Sequence, residues 1–139
     1  MSVDELRPFR HRRTVRFGDV DPAGMVYYPR LLHYIHVAME AFFAELVGVG
    51  YADFVREHGL GLPTVSIDAE FHRPVRFGDE IEIETAVESL GRTSIVWTYR
   101  VLHPPETEPA AEARLVTVNM DMQTQEKREI PDWLRSALT

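Results

Sequence analysis

Between Pro29 and Gly48 the chain runs RLLHYIHVAMEAFFAELV with no proline or glycine, and this stretch limits the fold more than any other. Proline suits a first helical turn because the N–H it lacks would have no partner there, and glycine suits the stop because it accepts a left-handed backbone. The interval predicts a helix of about five turns. Leu32, Met39, Phe43 and Leu46 fall on one stripe at three-and-four spacing. Tyr34, Ile35, Val37, Ala38, Phe42 and Val47 make much of the remaining surface apolar as well, so the helix has to be wrapped by protein.

The rest of the chain changes period. From His11 to Phe17, the residues Arg12, Thr14 and Arg16 alternate with Arg13, Val15 and Phe17, which predicts a half-buried first strand. Alternation returns at Thr64 to Phe71, at Ile81 and Ile83, at Ile95, Trp97, Tyr99 and Val101, and at Leu115 to Met122. Gly78-Asp79 and Gly91-Arg92 fall where connections belong, and His103-Pro104-Pro105 with Pro109 marks a longer loop. Pro131 to Leu138 reads as a short terminal helix. No Pro- or Gly-rich linker divides the helix from the strands, so the expected fold class is α+β: one domain over residues 1–139, a long central helix wrapped by an antiparallel sheet of about five strands. The tetrapeptide Arg-Phe-Gly-Asp occurs at 16–19 and again at 76–79 with nothing similar around it, which argues coincidence rather than a repeat.

Charge and composition narrow the function. A net charge of −7 opposes a protein that coats nucleic acid, because phosphate binding needs concentrated positive surface. A local basic patch is still available at Arg7, Arg10, Arg12, Arg13 and Arg16, although a solvated terminal run explains it equally. The absence of cysteine removes disulfides, thiolate nucleophiles and cysteine-bound zinc. MSVDELRPFRHRR has charges with no apolar run behind them, and no stretch approaches the roughly 18 apolar residues of a membrane span, so a cytoplasmic protein with no membrane and no nucleic-acid partner is expected.

The chemistry concentrates in Phe17-Gly18-Asp19-Val20-Asp21-Pro22-Ala23-Gly24-Met25-Val26-Tyr27-Tyr28-Pro29. It ends at a helix start, where unpaired backbone N–H groups and a partial positive charge can hold an oxyanion as it forms. Asp21 lies a few residues upstream, on a loop stiffened by Pro22 and turned by Gly24, so its carboxylate and the Tyr28 N–H can flank one carbonyl. That pairing suits a thioester, whose thiolate leaves with a pKa of about 8.5 and needs no general acid. No Gly-x-Ser-x-Gly elbow and no cysteine offers another acyl-transfer nucleophile. The competing reading of Asp21 is an Asx-turn or helix-capping residue. Asp19 is expected to support the loop, and the side chains of Tyr27 and Tyr28 are equally core aromatics or substrate contacts.

This stretch resembles the signature of the 4-hydroxybenzoyl-CoA thioesterase family, roughly Phe-Gly-Asp-x-Asp-Pro-Ala-Gly-Ile-Val-Tyr-Tyr-Pro. The similarity continues through Pro63 to Phe71, Arg76-Phe77-Gly78-Asp79-Glu80-Ile81 and Arg92-Thr93-Ser94. The resemblance implies the hotdog fold, an acyl-CoA substrate with no cofactor, and active sites at the interface of a homodimer, often paired into a homotetramer. It also implies that Asp21 is the catalytic carboxylate, as nucleophile or general base, and that the Tyr28 amide polarises the thioester carbonyl. Gly24 and Tyr27 fall within the same motif beside the substrate. Thr64 and Ser66 would line the thioester channel from the neighbouring subunit, and Arg92 at the Gly91 turn, with Lys127 and Arg128, would hold the coenzyme A nucleotide.

His36 stands where some members of that family carry an acid facing the acyl pocket. With Glu40 it is expected to line that pocket, the alternative being a satisfied core histidine. His33, His36 and Glu40 lie within about 60° of arc, but three ligands so spaced are no strong metal signature, and no metal is expected. His72 beside Arg73 and Pro74 is expected to be structural, and His103 exposed. The preferred acyl group is expected to be aromatic or short. A hotdog dehydratase or hydratase using His36 and Glu40, and a non-catalytic acyl-CoA-binding module, are the alternatives.

Overall fold

A computed structural model describes residues 9–139; the Arg7 end of the basic run lies outside the described residues. The first strand, β1, covers Phe9–Thr14 and is followed by a 3-10 turn at Phe17–Asp19. The long helix α1 covers Tyr28–Phe42 and continues through a π-helical turn at Phe43–Val47. A second helix, α2, covers Tyr51–His58, and the short strand β2 covers Leu60–Gly61. Then come β3 (Thr64–Phe71), β4 (Glu80–Leu90), β5 (Ser94–Leu102), β6 (Ala111–Val118), the short β7 (Met120–Asp121) and α3 (Asp132–Leu138).

Five strands form one antiparallel sheet in the order β1-β4-β5-β6-β3, with β2 and β7 paired apart from it. In β5 the period-two reading holds: Ile95, Trp97, Tyr99 and Val101 are buried beneath the long helix. Trp97 meets Phe42 edge to face at 5.4 Å and donates its indole N–H to Thr117 Oγ1 at 2.9 Å, so its one polar group is satisfied inside the core. Phe9 closes on the other side of Phe42 at 6.0 Å.

The helix buries Leu31, Tyr34, Ile35, Ala38, Met39, Phe42 and Phe43, a stripe rotated from the expected one. Leu32 is only half-buried and Leu46 is exposed. One face therefore stays open in the single chain, carrying Tyr28, His33, His36 and Glu40. The helix ends as expected at Gly48, whose φ is +81°, with the Gly48 N–H donating to Phe43 O at 3.0 Å. Strand β1 stops at Thr14, short of the expected Phe17: Val15 turns into the core, whereas Phe17 is exposed. The exposed edge strand β3 is the other unfinished surface, with Val65, Ile67 and Phe71 all about half or more exposed.

The two Arg-Phe-Gly-Asp tetrapeptides meet. Phe17 and Phe77 contact edge to face at 5.6 Å, the Val15 N–H donates to Asp79 O, and Gly78 returns a bond to Val15 O. They share no conformation, since Gly78 has φ +90° and Gly18 is not left-handed, so the expectation of no repeat unit stands while the segments pack against one another.

Candidate active site

The loop from Asp19 to Tyr28 is folded on itself by its own backbone. Val20 and Val26 form a bridge, the Asp21 N–H donates to Met25 O at 2.8 Å, and the Gly24 N–H donates to Asp21 O at 2.9 Å. Gly24 takes φ +79°, the turn its position requires. The loop is tied to the 76–79 turn by Met25 pairing with Arg76 and by the Phe77 N–H donating to Gly24 O.

Asp21 Oδ1 accepts the N–H groups of Ala23 at 2.9 Å and Met25 at 3.3 Å. This is the Asx-turn reading realised for one oxygen. Among the described residues Asp21 Oδ2 accepts no hydrogen bond, and the side chain is half-buried at the surface of the single chain. The Tyr28 N–H opens the helix; it has no acceptor within the helix and, among the described residues, none outside it. Pro29 follows and contributes no N–H, which leaves the Tyr28 amide the first free donor at the positive end of the helix.

Asp19 does the loop-supporting work expected of it. Its backbone carbonyl accepts the Tyr27 N–H at 3.1 Å and its Oδ2 accepts the Tyr34 hydroxyl from inside the core. Burial, and then the Asp19 carboxylate, push the Tyr34 hydroxyl up to about 12. The Arg13 guanidinium lies 4.1 Å above the Tyr34 ring. Nothing local in the sequence signals this Arg13-Tyr34-Asp19 column, because its members come from β1, the helix and the loop.

Around the helix start lies a mostly apolar cavity of about 290 Å³, lined by Met25, Tyr28, Leu31, Phe71 and Val75 among others. Tyr27 and Tyr28 are both more than half exposed, their rings 5.5 Å apart, and Tyr28 reaches Phe71 at 6.4 Å, so neither is a core aromatic. Further along the helix, His36 and Thr64 line a smaller cavity of about 120 Å³ with Leu32, Met39, Tyr99 and Thr117. Thr64 thus shares a cavity with His36 inside one chain, whereas Ser66 is exposed on the edge strand and lines neither space. His36 Nε2 is 3.0 Å from Glu40 Oε2, and both side chains are about half exposed, which removes the core-histidine reading. His33 joins no metal-type cluster; among the described residues such a grouping is Glu70, His72 and Glu112, all exposed, where His72 Nε2 lies 3.0 Å from Glu112 Oε2. His103 is partly covered and lies 3.7 Å from Asp79.

The expected nucleotide contacts are partly occupied. Arg92 pairs with Glu129 at 3.2 Å and Arg128 with Glu126 at 3.1 Å, while Lys127 has no ion pair among the described residues. No single helix among the described residues is long and apolar enough to cross a membrane.

A long helix on a five-stranded antiparallel sheet, with a turned acidic loop at the helix start, has counterparts. The model of the thioesterase-like superfamily matches residues 15–138. The chain belongs to this superfamily. It is 35% identical over 135 residues to a 1,4-dihydroxy-2-naphthoyl-CoA hydrolase of Synechococcus elongatus, covering 94% of this chain and 97% of that one. A solved 1,4-dihydroxy-2-naphthoyl-CoA thioesterase from Synechocystis superposes with a TM-score of 0.85 at 21% identity over 94% of each chain. A gentisyl-coenzyme A thioesterase superposes with a TM-score of 0.81 at 24% identity, over 94% of this chain and 98% of the other. At those identities the two structures establish the hotdog fold alone. As a superfamily thioesterase the chain is a thioester hydrolase. The superfamily is a broader assignment than the 4-hydroxybenzoyl-CoA resemblance carried by the motif.

Proposed function

We propose that this thioesterase hydrolyses an aromatic acyl-CoA, with the thioester carbonyl held by the Tyr28 N–H and attacked by Asp21 or by water that Asp21 activates. The observation that carries the reading is the unpaired Tyr28 N–H at the positive end of the helix, adjoining a mostly apolar cavity, with the Asp21 carboxylate on the loop that delivers the helix. As the tetrahedral centre forms, negative charge grows on the carbonyl oxygen, and a fixed amide is worth most there. The bond to sulfur then breaks and coenzyme A leaves as a thiolate; with water as nucleophile the acid is formed at once, and with Asp21 as nucleophile a water then cleaves the acyl-aspartyl anhydride and restores the carboxylate.

Tyr28, Leu32, His36 and Glu40 recur every four residues, so they share the open helix face. A carbonyl at Tyr28 leaves the acyl group running towards His36, about 12 Å away along the helix. The His36-Glu40 pair can meet a ring hydroxyl, a reading supported by the hydroxynaphthoyl-CoA hydrolase relative. The same pair would serve a hydratase, but that chemistry leaves Asp21 unused.

In the single chain neither cavity includes Asp21, and the helix face lies open. The site is therefore read as shared, a second copy closing it in a homodimer or homotetramer in the cytoplasm.

The test is a thiol-release assay across hydroxynaphthoyl-, benzoyl-, short- and long-chain CoA esters with wild type and Asp21→Asn. Asparagine keeps an oxygen for the Ala23 and Met25 amides, so the loop should survive. The aromatic esters are expected to turn over fastest, and the variant to lose at least about 100-fold in kcat with its melting temperature within a few degrees. Wild-type turnover in Asp21→Asn removes the assigned role.

A further inference from the structure

Tyr99 projects from β5 into the core and is 2% exposed. Its ring packs on Trp97, the centroids 6.4 Å apart and the planes 25° from parallel, so packing alone holds the ring in place. Its hydroxyl makes no hydrogen bond among the described residues, whereas Trp97, Tyr34 and Tyr51 each set their polar atom on a partner. Burial pushes the Tyr99 hydroxyl well up from its ordinary value, so it stays protonated and can donate as well as accept. A buried tyrosine hydroxyl normally has a partner, and one without costs free energy that the fold has to absorb.

The room for a partner is the cavity of about 120 Å³ beside His36, which Tyr99 lines from the sheet side. Apart from apolar side chains, its lining is His36, Thr64, Tyr99 and Thr117. Thr117 Oγ1 already accepts the Trp97 indole N–H, His36 faces Glu40, and Thr64 is exposed on the edge strand. The cavity therefore carries a polar group on each of two walls, His36 on the helix and Tyr99 on the sheet. An apolar slot with a few polar groups so placed orients a flat guest.

We infer that the Tyr99 hydroxyl bonds a hydroxyl of the acyl ring from the sheet side, which makes Tyr99 a specificity-determining residue for hydroxylated aryl-CoA esters. This rests on the aromatic acyl-CoA reading above and goes beyond it by adding a second polar contact, on the wall across from His36 and Glu40. A site built to bond a substrate hydroxyl rejects the analogue that lacks it, because the buried group is then left unpaired. Benzoyl-CoA, with no ring hydroxyl, is such an analogue.

The experiment compares benzoyl-CoA with its three monohydroxy isomers, using wild type and Tyr99→Phe. Phenylalanine keeps the packed ring and removes an oxygen that no described protein group bonds, so the melting temperature should hold or rise. A fall of more than a few degrees means that the hydroxyl is bonded within the protein, and it overturns the inference. Wild type should favour at least one hydroxylated ester over benzoyl-CoA by about tenfold or more in kcat/KM. Tyr99→Phe should lower that ratio about tenfold at one ring position. A ratio unchanged at every position, or a wild type without preference, overturns the inference. Calorimetry with the free hydroxybenzoates and benzoate separates this from the activity. If wild type hydrolyses no aryl thioester, the functional reading fails, yet tighter binding of a hydroxybenzoate than of benzoate, lost in Tyr99→Phe, still supports the contact. Equal binding by both proteins, or none by either, overturns it.

Discussion

Tyr34 holds the candidate site from beneath. Its ring is buried under Arg13 and its hydroxyl donates to Asp19, so the loop that presents Asp21 is anchored to the middle of the core. In Tyr34→Phe the ring and its cation contact remain and only the bond to Asp19 is lost, which should cost about 1–2 kcal/mol. The pH dependence supplies a second readout. The Tyr34 hydroxyl titrates at about 12 in the folded chain, against an ordinary value near 10. Between those values the unfolded chain has lost a proton that the folded chain keeps, so this share of stability is full below pH 10 and fades as the pH rises towards 12. Denaturant titrations at pH 8 and pH 11 should therefore show the gap between wild type and Tyr34→Phe narrowing at the higher pH. A gap that does not change would mean that the hydroxyl is not held as described.

At the level of elements, the helix stop is a backbone effect. A Cβ at Gly48 would meet nothing within 4 Å, so its cost comes from φ +81° alone. Gly48→Ala should lose about 1–2 kcal/mol. Gly50→Ala two residues on, where φ is −62° and the nearest atom to an added Cβ is 3.8 Å away, should cost less than about 1 kcal/mol, since only glycine's preference over alanine at the start of α2 is lost. Equal melting temperatures for the two variants would refute the distinction. This stop, the strand alternation of β5 and the acidic loop at the helix start were legible in the sequence because each depends on neighbours in the chain. Helix α2 has no counterpart among the sequence expectations, although Asp53 in its first turn and Arg56 and His58 in its last match the helix dipole; it is short and set between the glycines at 48, 50 and 59. The buried stripe of the long helix differs from the expected one because apolar residues occupy much of its circumference, and only the sheet beneath decides which side is covered. The meeting of Phe17 with Phe77, and of Arg13 with Tyr34 and Asp19, depends on strand pairing that no local pattern encodes.

For the whole molecule, the unfinished surfaces belong together. Strand β3 ends the sheet with Val65, Ile67 and Phe71 exposed, while the open helix face holds Tyr28, His36 and Glu40. An edge strand with an exposed apolar face invites cover by another chain, and here the charges of Asp68 and Glu70 alternate with Val65, Ile67 and Phe71. Phe71 lines the cavity at the helix start, and Ile67 lines the one beside His36, so whatever covers this edge also closes both spaces. If a second copy does so, assembly and hydrolysis should fail together. Val65 is the residue to change, because it lies in the β3 irregularity between Thr64 and Ser66, is 60% exposed and lines neither cavity. Light scattering should give a dimeric or tetrameric mass for wild type and for Asp21→Asn. Val65→Asp should shift the mass towards the monomer and lower kcat by at least about tenfold, because a charge desolvated in an apolar contact costs more than the contact returns. A wild type of monomeric mass, or a monomeric Val65→Asp with full turnover, would show that one chain completes the site by itself.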